Sequence, residues 1–157
     1  MAINYMAVLV CGIAAMVVGF IWYGPLFGKA YMKTMGADTM TPEQKAAMKK
    51  SMGGMYFLQF ILSLVTAWAL SLFINLCAPF SSVFLETKLP NTFVCYPGSS
   101  PIWIAILIWF GFVMTTTASG ALWSGKPKKM AWSFFWITAG AQLVTFIVFG
   151  LILGAWM

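Results

Sequence analysis

The stretch MYFLQFILSLVTAWALSLFINLC, from Met55 to Cys77, contains no Asp, Glu, Lys or Arg. A helix rises about 1.5 Å per residue, so about 20 apolar residues cross the hydrocarbon layer of a bilayer. This run qualifies, and three others share its character: about Tyr5 to Tyr23, Pro101 to Trp123 and Ala131 to Trp156. The sequence predicts an all-α membrane protein, residues 1–157 forming a single domain of four transmembrane helices. The predicted spans are 5–23, 55–77, 101–123 and 131–156, with an outer loop over 78–100. The first run lacks the basic flank and the small-residue cleavage site of a signal peptide, and is read as a retained helix.

Composition agrees with that reading. Hydrophobic residues make up 62% of the chain and charged residues 8%, against about a quarter charged in a soluble domain. The net charge is +6, and every positive side chain is a lysine, since there is no arginine. Those lysines flank apolar runs rather than covering one soluble face, so membrane lipids are the expected contact and nucleic acid is not. Histidine is absent. The usual general base near neutral pH and the commonest metal ligand are therefore missing.

Orientation follows from where the lysines lie. Lys29, Lys33, Lys45, Lys49 and Lys50 follow the first run, and Lys126, Lys128 and Lys129 follow the third. The middle loop holds only Lys88, balanced by Glu86. Lysine-rich loops stay in the cytosol, so the expected location is the cell (inner) membrane with both termini outside the cytosol.

Each loop carries its own pattern. Gly24-Pro25 is expected to end the first helix and turn the chain onto the membrane surface. Leu26, Phe27, Ala30, Tyr31 and Met35 then recur at near-helical spacing beside Lys29 and Lys33. That predicts a short interfacial amphipathic helix stopped by Gly36. Thr41-Pro42-Glu43-Gln44 reads as a helix start, with Thr41 as cap and Gln44 reaching back. The outer loop is unusually apolar, with Phe80, Phe84, Leu85, Phe93 and Tyr96 as candidate partner-docking residues. Pro79, Pro90, Pro97 and Pro101 argue against a long helix there. Cys77 and Cys95 fall on the oxidising side, either bridged by a disulfide or free and buried.

Trp22-Tyr23-Gly24-Pro25-Leu26-Phe27-Gly28-Lys29-Ala30-Tyr31-Met32-Lys33 closes the first helix. This pattern resembles the bacterial membrane family called domain of unknown function 1761. Gly111-Phe112 followed by threonines, and the Gly150 to Trp156 ending, are similar too. The resemblance covers most of the chain and implies four helices, with a shorter outer connection than this chain has. It implies no established activity, and it assigns no catalytic residues.

Small residues at four-residue spacing suit close helix packing in lipid: Cys11, Ala15 and Gly19; Gly111, Thr115 and Ser119; Gly150 and Gly154. Gln59, Ser63, Thr115, Thr116, Thr138 and Gln142 fall at similar depth. They either bond helices together or converge on a neutral polar pocket. No carboxylate, lysine or histidine lies in a span, and no metal-ligand spacing, phosphate loop or nucleophile–base pair is present. The expectation is a chain with no catalytic residues, cofactor or metal, and not an enzyme. Two functions fit. One is a structural or accessory subunit that associates with other membrane proteins, as a homo- or hetero-oligomer, through helix faces and the outer loop. The other is a small transporter or channel for a neutral or weakly polar solute.

Overall fold

The computed structural model describes residues 3–36, 40–87 and 100–156. Among these residues there are helices and turns and no strand. Four helical runs are long and apolar enough to cross a membrane: Tyr5–Leu26, Gly53–Leu76, Pro101–Leu122 and Lys128–Ala155.

Helix α1 (Tyr5–Ile21) starts where the Asn4 side chain accepts from the N–H groups of Met6 and Ala7, at 3.1 and 3.2 Å. It does not end at Gly24-Pro25. The coil widens into a π-helical segment, Trp22–Leu26, with Pro25 inside it. Phe27 N–H donates to Trp22 O, five residues back, at 2.9 Å. A wider turn spares the proline ring its clash with the carbonyl four residues back, so the proline is absorbed rather than terminating the coil. The break comes at Phe27 (φ −118°, ψ 6°), and α2 (Gly28–Thr34) follows. A Cβ at position 28 would lie 2.7 Å from Tyr23 O, so glycine is required there. Gly36 stops α2 with a left-handed φ of 71°, donating to Lys33 O at 3.1 Å.

Helix α3 (Pro42–Thr87) opens with the reciprocal cap its sequence announces. Thr41 N–H donates to Gln44 Oε1 at 3.0 Å, and Gln44 N–H to Thr41 Oγ1 at 3.3 Å. At 46 residues the helix is about 69 Å long, far more than a bilayer core of about 30 Å. It continues past Cys77, so the first ten residues assigned to the outer loop are helical and Pro79 does not stop it. A single proline costs one hydrogen bond and a kink, which a long helix can absorb.

The third span has three parts: α4 (Pro101–Ile108), a π-helical segment Trp109–Met114, and α5 (Thr115–Leu122). Ser100 caps it by accepting from Trp103 N–H at 3.2 Å. Gly125, at φ 66°, turns the chain towards α6 (Lys128–Ala155).

Helix α6 is the hub, packing on α1, α2, α4 and α5, while α3 leans mainly on α1. At the end carrying both termini, all four spans share one core built around Cys11, Leu70, Ala105 and Phe149. Gly150 lets it close: a Cβ there would sit 2.8 Å from Ile102 Cα and 3.1 Å from Pro101 O. At the opposite, lysine-rich end the buried cluster among the described residues is smaller: Ala121, Phe135 and Ala139, from α5 and α6.

Candidate functional site

Around one turn of α6, Ile137-Thr138-Ala139-Gly140-Ala141-Gln142, the neighbouring helices leave their α-helical winding. Two segments of similar sequence approach it: Ile21-Trp22-Tyr23-Gly24 and Ile108-Trp109-Phe110-Gly111. Each tryptophan begins a π-helical segment. Each donates its indole N–H to a carbonyl of this turn: Trp22 to Ile137 O at 2.9 Å, Trp109 to Ala139 O at 3.1 Å. A neutral indole donor and a backbone acceptor satisfy one another without water, which lipid cannot supply. Gly140 makes room, since a Cβ would meet Trp22 Cζ2 at 2.9 Å.

Two polar atoms on the same turn are left over. Thr138 Oγ1 and Gln142 Oε1 are buried without a hydrogen-bond partner among the described residues. The Tyr23 phenol lies near Thr138. The ring of Tyr23 packs on Tyr31 (centroids 4.7 Å), and Tyr31 stacks on Phe134 of α6 at 6.0 Å. Burial pushes the Tyr31 phenol up from its ordinary pKa. Lys126 closes this lower wall. Its Nζ lies 4.7 Å from the Phe134 ring centre and donates to Thr34 O, at the end of α2, at 3.0 Å. A cation there meets both an aromatic face and the negative end of a helix. The Trp22–Lys33 motif therefore fastens α2 to α6, ring by ring.

The six polar residues expected to converge are not all brought together. Ser63 is buried, Thr138 and Gln142 are half-buried, and Gln59, Thr115 and Thr116 are exposed. Ser63 donates to Gln59 O, Thr115 to Gly111 O and Thr116 to Phe112 O, each bonding its own helix. Sequence reasoning missed Trp22, Tyr23, Trp109 and Gly140 as neighbours of Thr138; the paired Ile-Trp-aromatic-Gly pattern was the available signal. The docking residues Phe93 and Tyr96 and the cysteine Cys95 lie outside the described residues, as do the side chains of Phe80, Phe84, Leu85 and Cys77. Among the described residues, no group of His, Cys, Asp or Glu could hold a metal ion.

A second surface lies on α3. Ser63, Ala67, Leu70, Ser71 and Ile74 form its buried stripe. One and two turns towards the lysine end, the same stripe continues through Gln59 and Tyr56. There every residue from Gly53 to Gln59 is exposed, Phe57 at 69%. The Gln59 amide has no hydrogen bond among the described residues, although it lies inside the apolar run Gly53–Leu76.

No curated protein and no solved structure matches the chain. A family model described as "Protein of unknown function (DUF1761)" matches residues 6–154, from the start of α1 almost to the end of α6, and the chain therefore belongs to that family.

Proposed function

We propose that the protein is a non-catalytic subunit of the cell membrane that associates with other membrane proteins through the lysine-end half of α3. The carrying observation is the stripe that leaves the bundle at Ser63 and continues, uncovered, through Gln59 and Tyr56. Apolar side chains there are at ease in lipid. The Gln59 amide is not, because lipid offers it neither donor nor acceptor. A neighbouring helix with a polar group at that depth satisfies it, as interhelical polar contacts do in other bundles. The apolar stretch 78–100 is the second surface of the same proposal, supported by its sequence. In this reading the lysine end faces the cytosol, α2 lies at the membrane surface, and both termini are outside, on the strength of the lysine distribution.

The test is Gln59→Leu, assayed for particle size by native electrophoresis after mild solubilisation from the source membrane. The expected result is a shift from a larger complex to a smaller particle with unchanged thermal stability of the chain. An unchanged size would overturn the reading. The transporter reading draws its support from Thr138 and Gln142, whose unpartnered atoms lie within a span.

A further inference from the structure

We infer that the Ile137–Gln142 turn of α6, together with Tyr23, binds one small uncharged molecule that donates a hydrogen bond. Binding there needs neither passage across the membrane nor the α3 surface.

The first support is the behaviour of threonine in this chain. Thr66, Thr115, Thr116, Thr117 and Thr145 each send their hydroxyl to the carbonyl four residues back, at 2.7–2.9 Å. This is the ordinary resting place of a hydroxyl in a membrane helix. Among the described threonines of the four spans, only Thr138 does not take it. Tyr23, in the π-helical segment Trp22–Leu26, lies beside it instead.

The second support is Gln142, one turn further on the same face, whose Oε1 is buried and unpartnered. An orphaned acceptor in a dry interior forfeits its hydration and gains nothing in return. Here the orphans come as neighbours, about one helical turn apart, with a phenol opposite. The adjacent backbone acceptors, Ile137 O and Ala139 O, are already taken by Trp22 and Trp109. Recognition therefore falls to the side chains. Gln142 Oε1 accepts from the ligand, and the Thr138 and Tyr23 hydroxyls donate to it or accept from it.

The third support sets the ligand class. No Asp, Glu, Lys or Arg lies on α6 between Ala131 and Ala155, or on α1. An ion would be buried with no counter-charge on either of these helices. The two orphaned atoms, one turn apart, call for a molecule of a few heavy atoms: a simple amide, an alcohol or ammonia. The π-helical winding of both neighbouring segments fits a site, since such segments recur where helices are shaped around function.

The experiment is solid-state NMR of the full chain in lipid bilayers, with glutamine labelled with ¹⁵N in the side-chain amide. Gln44, Gln59 and Gln142 are the only glutamines, so each serves as a control for the others. Acetamide, methanol and ammonia are titrated in as probes. The expected result is a saturable shift of the Gln142 signal by at least one probe, with Gln44 and Gln59 unmoved. Thr138→Val and Tyr23→Phe should each weaken that saturation about three- to tenfold, the loss of one hydrogen bond. Both variants keep side-chain volume, so the Gln44 and Gln59 signals report that the fold is retained. Two results would overturn the inference: no saturable shift with any probe, or a Gln142 signal coupled to one resident water that no probe displaces.

Discussion

Helix α3 is two different helices in one. Towards the termini, its stripe of Ala67, Leu70 and Ile74 is sealed against α1, α4 and α6, with Ala67 wholly buried. Towards the lysine end, the same stripe reaches Gln59 and Tyr56 and nothing in the described chain covers it. Composition does not explain the difference, because both halves are apolar. Geometry does. Gly150 lets α6 and the start of α4 meet backbone to backbone at one end, and Gly154 seats the Pro101 ring. At the other end the bulky Trp22, Tyr31 and Phe134 fill the space beside α6, and α3 has no place among them. Small residues draw helices together in lipid, where no hydrophobic force does so; large rings hold them apart.

The comparison breaks most readily at Gly150. Gly150→Ala sets a Cβ 2.8 Å from Ile102 Cα, and backbone cannot swing aside. It should cost about 1–3 kcal/mol, read as a lowered midpoint in thermal unfolding in detergent. The lysine end is sharpened by Trp22→Phe, which keeps a ring over Gly140 but removes the donor to Ile137 O. The expected loss is about 0.6–1.7 kcal/mol, with faster hydrogen exchange in α2. The smallest effect has the opposite sign. Gly54 has open space around it in α3, so Gly54→Ala should stabilise the isolated chain by up to about 1 kcal/mol. A loss of stability there would show that the bundle itself covers this half of α3.

Much of the fold was legible because lipid imposes one strong rule: charge-free runs of about 20 residues become helices. The Thr41–Gln44 cap and the Gly36 stop were legible too, being local chemistry. Pro25 and Pro79 were misread as stops because a proline weakens a helix without forbidding it. The site was harder. In a soluble helix the polar face marks the outside, but here every face is apolar and periodicity does not say which residues meet. Thr115 and Thr116 looked like pocket residues, yet their hydroxyls are spent on their own helix. Thr138 differs from them in orientation alone, which no spacing encodes.

In the proposed reading the α3 stripe continues beyond the bundle as a surface for another protein. A photo-crosslinking residue placed at Tyr56, on the stripe, and at Leu72, on the opposite exposed face, tests it in the source membrane. A discrete protein adduct is expected from Tyr56 and lipid adducts alone from Leu72. Lipid adducts alone from Tyr56, or a crosslink from Tyr56 to α5 of the same chain, would contradict it.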